Sequence, residues 1–165
     1  MPTDKAGDGL ALLGILVSFV LGMVLRIVPI PAEWFAANPD WLALLLIFWT
    51  LHAPQRVGVV MAWLLGMSAD VLTGRLLGQH ALAYTVIAYL NLRAQPALQP
   101  LPVPIQTLWV LVLLLLSQCL VLWTQRIELP EPARLIYWLP AFTGALAWPL
   151  VLLVMRAGSR GGQRS

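Results

Sequence analysis

Charge is scarce in this chain. Lys, Arg, Asp and Glu together supply 10% of 165 residues, where about 25% is usual for a soluble domain. A soluble catalytic or nucleic-acid-binding domain is therefore excluded. Cysteine is nearly absent: Cys119 stands alone inside an apolar run, so no intrachain disulfide and no zinc site of cysteine ligands can be assembled. The two histidines, His52 and His80, lie far apart and have no carboxylate at a metal-binding spacing. Paired acids, a nucleophile with its general base and a phosphate-cradling glycine loop are missing as well. The expectation is no enzyme, no catalytic or metal-ligating residues and no cofactor.

Apolar sequence is abundant. Hydrophobic residues make up 60% of the chain and the mean hydropathy is +0.83. A membrane helix takes about 20 residues, so about six spans leave only short loops and tails. The expected fold is an all-α integral membrane protein, about six transmembrane helices in one compact bundle. The spans are placed at residues 10–28, 41–53, 57–72, 76–92, 105–123 and 135–155, between a short N-terminus, 1–9, and a basic tail, 156–165. Leu10 to Leu25 resembles a signal sequence. Its length, the diluting Asp4 and Asp8 and the lack of a small-residue cleavage site make it a retained first span. Pro29-Ile30-Pro31 stops that span, and Ala32 to Asp40, with Glu33, Trp34 and Phe35, suits the headgroup region. The second run is short, and a re-entrant segment competes with the favoured crossing. Pro96, Pro100, Pro102 and Pro104 are expected to break the chain between Ala94 and Pro104. Pro140 and Pro149 are expected to bend the last helix.

Alternating crossings put Lys5, Arg56, Arg93, Arg156, Arg160 and Arg164 on one side and Arg26, Arg75, Arg126 and Arg134 on the other. Because positive residues are retained in the cytoplasm, both termini are expected there. Trp41, Trp123, Tyr137 and Trp138 then form an aromatic belt at the outer ends of their spans. The basic residues, spread singly, act as topology markers rather than as a nucleic-acid footprint.

Small residues recur every fourth position in two spans: Gly14, Ser18 and Gly22 in the first, Gly58, Ala62, Gly66, Gly74 and Gly78 in and after the third. Such stripes let helix backbones approach closely, either within the bundle or against a partner. Asp70, within the stripe of the third span, is the one acid inside a span. It should point inward and find Arg75, His80 or the helix amides beyond Gly78, as a structural anchor or a transport or proton site. His80 reads as a hydrogen-bonding residue. Gln118, beside Ser117 in the fifth span, should bond a neighbouring helix.

The hairpin from Gly66 to Leu82, GMSADVLTGRLLGQHAL, resembles the signature of the rod shape-determining protein MreD family. Asn38-Pro39-Asp40-Trp41-Leu42, Pro54-Gln55-Arg56-Val57-Gly58, Tyr137-Trp138-Leu139-Pro140 and Trp148-Pro149 resemble the corresponding family stretches. The resemblance implies a non-enzymatic scaffold of the bacterial cell-elongation complex in the inner membrane. Its implied partners are MreC and, indirectly, MreB and the lateral-wall peptidoglycan synthase with its penicillin-binding protein; the other contacts are membrane lipid, with no nucleic acid. The family also resembles the substrate-binding subunits of energy-coupling vitamin transporters in overall fold. A small-molecule uptake subunit is therefore the alternative function.

Overall fold

The computed structural model describes residues 5–28, 37–74, 76–125 and 136–161. Arg75, the Pro29-Ile30-Pro31 stop, the Ala32–Phe35 interfacial stretch and the loop acids Glu128 and Glu131 with Arg126 and Arg134 lie outside the described residues.

Six helices occur among the described residues: α1 Lys5–Ile27, α2 Trp41–His52, α3 Val59–Thr73, α4 Gln79–Leu98, α5 Val103–Gln125 and α6 Leu139–Gly161. By length and composition α5 alone among the described helices is apolar and long enough to cross a membrane, over Val103–Thr124; α1, α2, α3 and α6 carry shorter apolar stretches. At about 1.5 Å per residue α2 reaches only about 18 Å.

Side-chain contacts fix the directions of the helices. Trp49 Nε1 of α2 donates to Ser18 Oγ of α1 at 2.8 Å, and Gly22 packs on Leu42 and Leu45, so α1 and α2 run antiparallel. Among the bonds that tie α2 to α4 are Tyr84 to Asp40, Asn91 to Ile47 and Gln95 to Leu51. Each joins residues 44 apart, which makes α2 and α4 parallel and in register. Trp109 of α5 meets Asn91, Tyr137 before α6 meets the Gln118 carbonyl of α5, and Gly144 of α6 meets Leu114 and Leu44. Successive helices thus alternate in direction.

α2 is the centre of this arrangement. Leu42, Ala43, Leu44, Leu46, Ile47, Phe48, Thr50 and Leu51 are all buried, which covers the helix on every side. Outer helices show the reverse distribution: Leu13, Val17 and Leu21 of α1, Val60 and Val71 of α3, and Leu146, Leu150 and Leu153 of α6 are exposed.

Polar groups are buried where helices meet. Asn91, fully buried, donates to the Ile47 carbonyl at 2.9 Å and to Thr50 Oγ1 at 2.8 Å, and accepts from Trp109 Nε1 at 3.0 Å. One amide therefore joins α2, α4 and α5. Interhelical bonds in membrane proteins contribute about 0.6 kcal/mol on average. Asn91→Leu is accordingly expected to lower stability by about 1–3 kcal/mol, with the Trp109 indole N–H losing its acceptor, readable as a lower melting temperature.

Two helices differ from expectation. α4 does not stop at Ala94 but runs through Pro96 to Leu98. The missing proline donor falls in the last turn, where a single intrahelical bond is lost, and the connection shortens to Gln99–Pro102. Pro140 lies in the first turn of α6, where amides have no intrahelical partner and proline is tolerated, so Pro149 is the proline inside that helix. The helix also continues past Met155 to Gly161, into the segment expected to be a tail.

Candidate functional site

The Gly66–Leu82 hairpin builds one half of the site. Gly74 adopts a left-handed conformation, φ 61°, and closes α3 with its N–H directed at the Asp70 and Val71 carbonyls. Gly78, φ 103°, begins α4. These two reversals aim the first amides of α4 back at the last turn of α3, where Asp70 waits. Asp70 Oδ2 accepts from Gly78 N–H at 2.8 Å and Asp70 Oδ1 from His80 N–H at 3.0 Å. The His80 ring adds a bond from Nδ1 to Asp70 Oδ1 at 2.7 Å. A fully buried carboxylate thus faces a helix N-terminus, whose dipole favours negative charge. Approach is close: a Cβ on Gly66 would lie 2.3 Å from the Ala81 Cα.

The other half comes from α1, α2 and α4. Asp40 caps α2, accepting from Ala43 N–H at 3.3 Å. Its carboxylate pairs with Arg26 Nη1 at 2.9 Å and accepts from Tyr84 Oη at 2.7–2.8 Å. Arg26 Nη1 also donates to Tyr84 Oη at 3.1 Å, and Arg26 Nη2 lies 2.8 Å from His80 Nε2. Burial alone would raise the Asp40 carboxyl, but Arg26, the Tyr84 hydroxyl and the Ala43 amide hold it below its ordinary value of 3.8. Its contribution to stability is therefore complete above that value and lost as pH falls through the lowered one. Acid unfolding of the chain should accordingly show a component below about pH 4 that Asp40→Asn removes.

The donors decide the protonation of His80. A guanidinium offers only N–H groups, so His80 Nε2 must present its lone pair to Arg26, and the ring proton belongs on Nδ1, where it is donated to Asp70. His80 is a neutral bridge in the order Asp70–His80–Arg26–Asp40–Tyr84. Two carboxylates and one guanidinium leave one excess negative charge, placed where the α4 amides point. Every ring nitrogen and carboxylate in this chain of bonds has a protein partner. The arrangement is therefore mechanical, strapping the ends of α1 and α2 to the α3–α4 hairpin.

The stripe residues have separate fates. Ser18 donates to the Ile15 carbonyl and accepts from Trp49; Gly22 packs against flexible ends of Leu42 and Leu45; Ala62 and Gly66 are buried, Gly66 on α4. Gly74 and Gly78 serve the turn. A Cβ at Gly14 or Gly58 would meet nothing within 4 Å. Gln118 is separate from the ionic chain, with its Oε1 buried and unbonded among the described residues. Among those residues no group of three or more His, Cys, Asp or Glu side chains is placed to hold a metal ion.

Arg26, Asp40 and Tyr84 are not evident from sequence. Asp40 reads there as a headgroup residue and Arg26 as a topology marker. The available signal was the cost of leaving Arg26 unpaired at a span end, which demands an acid nearby.

The fold and site define a helical bundle with an apolar exterior and a saturated ionic strap at one end. The family profile of the rod shape-determining protein MreD matches residues 9–157. The rod shape-determining protein MreD of Haemophilus influenzae is 32% identical over 145 residues, covering 86% of this chain and 88% of that protein. No solved structure matches this chain. The chain belongs to the MreD family, a membrane-associated family of structural proteins of the rod shape-determining system.

Proposed function

We propose that the chain is a non-enzymatic scaffold in the bacterial cytoplasmic membrane that couples MreC and peptidoglycan synthesis to the cytoplasmic MreB filament. The observation that carries this reading is family membership over residues 9–157. An inverted distribution of side chains supports a multi-pass membrane location: apolar residues point outward from α1, α3, α5 and α6, while the ionic strap and Asn91 lie inside. So large an apolar exterior is foreign to a soluble monomer. The sheltered α2 need not match the bilayer thickness, because its surroundings are protein. Both termini are assigned to the cytoplasmic side by the excess of basic residues there.

In this reading the single span of MreC packs on the outer faces of α1 and α3, where Gly14 and Gly58 leave room for a close backbone. The test is recovery of MreC with the tagged chain from native membranes, together with depletion in cells. MreC should co-purify and depleted rods should become round. Rods that persist with normal wall synthesis would refute the assignment. A transport role has less support, since the buried charged groups are occupied by one another. A vitamin panel should leave the melting temperature unchanged.

A further inference from the structure

We propose that the bundle leans by about 15° in the membrane, its α3–α4 hairpin sinking toward the side of both termini, and that Arg93 thereby binds phospholipid phosphates of the leaflet on that side. The lean rests on the membrane location proposed above and adds to it a tilt and a lipid contact.

Interhelical contacts give a common scale of height. Toward the termini, Asn91 of α4 bonds Ile47, Trp109 of α5 bonds Asn91, the Trp148 ring of α6 stands beside Phe48, and Ser18 of α1 bonds Trp49. Below that level α6 still exposes Leu153 and Val154, and α1 exposes Leu13 and Leu12, the last of each six residues further down, about 9 Å. On α5 the exposed Ile105 lies four residues below Trp109, about 6 Å. On α4 the exposed residue is Arg93, two below Asn91, about 3 Å. α3 has already ended there: Gly66 lies on Ala81, which puts its first residue, Val59, about level with Ala88. The apolar exterior thus descends step by step from the hairpin through α5 to α6.

The far end is offset in the same direction. From the Asp40 level α4 rises from Tyr84 to Gln79, and the exposed Leu76 and Leu77 stand beyond it. On α6, Gly144 lies on Leu44, so the same level falls near Pro140; the exposed Ile136 is four residues higher, and the sequence before it carries Glu131 and Arg134. A hairpin that was merely short would be offset at one end. Offsets of one sign at both ends describe a displaced lipid belt. About 6 Å of displacement across three helix spacings of about 8 Å, from α3 through α4 and α2 to α6, corresponds to a lean of about 15°.

Arg93 is the charge that the lean accommodates. Asn91 and Gln95 both bond α2, so Arg93, between them, stands on the opposite, exposed face of α4, four residues after the exposed Tyr89. Asp40 and Asp70 lie at the other end of the bundle, and no carboxylate pairs with Arg93 among the described residues. In an upright bundle its guanidinium would stand among acyl chains, because α1 and α6 stay apolar below it, and a charged side chain is costly there. The lean lowers it to headgroup phosphates, which a guanidinium binds through two parallel N–H bonds. The same movement brings Tyr89 toward the interfacial height that tyrosine favours and draws Leu76 and Leu77 down to the acyl chains of the opposite leaflet.

The experiment measures the depth of single nitroxide labels in nanodiscs of phosphatidylethanolamine and phosphatidylglycerol, with the exposed Cys119 replaced by Ser. Labels go at Tyr89 and Leu146, and at Leu82 and Leu139; each pair shares one level on α4 and α6, and all four sites are exposed. In both pairs the α4 label should lie about 6 Å nearer the headgroups on the side of the termini. Equal depths, or an offset in one pair alone, overturn the lean. Four labels that lipid-soluble oxygen does not reach would overturn the membrane location itself, so the two failures are distinguishable. The phosphate contact is read by carbon–phosphorus solid-state NMR in the same lipids, taking the guanidinium signal that Arg93→Lys removes as that of Arg93. Phosphorus should dephase this signal as from a distance within about 5 Å. A signal that phosphorus leaves unchanged overturns the contact.

Discussion

Asp70→Ala should destabilise the chain by about 3–5 kcal/mol, the cost of removing one partner from a buried ionic contact. The Gly78 and His80 amides and the His80 ring N–H all donate to this carboxylate. Alanine would leave three donors facing apolar surroundings, each costing about 1–3 kcal/mol unless water reaches it. The start of α4 would also lose the negative charge that its dipole favours. Asp70→Asn separates charge from shape. Its carbonyl still accepts one amide, but its NH2 confronts a second N–H, so an intermediate loss of about 1–3 kcal/mol is expected. Thermal unfolding in a fixed detergent checks both. An Asn variant as stable as the unsubstituted chain would mean that the charge is dispensable, and an equally stable Ala variant would mean that the carboxylate is no strut.

Gly66→Ala should be comparably damaging although it adds only one methyl group. The added carbon would lie 2.3 Å from Ala81 Cα, 2.5 Å from Ala81 N and 2.6 Å from His80 C, all backbone atoms that cannot rotate aside. α3 and α4 must separate, and the amides that separation carries off are those bonded to Asp70. Overpacking ordinarily costs about 1–3 kcal/mol, and the stretched carboxylate contacts add to it. The comparison variant is Gly14→Ala, on an exposed face where the methyl meets nothing within 4 Å. It exchanges helical glycine for a better helix former and should stabilise by up to about 1 kcal/mol. Opposite signs in melting temperature check the pair; similar effects would contradict the close approach at Gly66.

The outline of the helices was legible because it depends on local chemistry. Apolar runs stop at Pro54, at the Gly74–Gly78 turn and at Pro100–Pro102, and most helix ends fall within a few residues of those signals. Proline itself misled at Pro96 and Pro140, since its effect depends on which turn of a helix it occupies. Asp70 announced itself by being an acid within an apolar span, and the short turn brought its partners from the same stretch of sequence. The Arg26–Asp40–Tyr84 half was not legible. Its members come from three separate segments, and pairing them requires knowing that α2 and α4 are parallel neighbours offset by 44 residues, which no local pattern states. Asn91 was obscured for the same reason: its partners on α2 and α5 are distant in sequence.

The constant offset between α2 and α4 has a mechanical meaning in a bilayer. A helix of twelve residues would ordinarily find its depth by matching lipid, drifting as acyl chains lengthen or shorten. Here the bonds at Asp40, Ile47 and Leu51 act as rungs that index α2 against α4. In the proposed multi-pass arrangement, lipids of different thickness would tilt the outer helices while the central rod kept its height, giving the assembly a reference level that the surrounding membrane does not set.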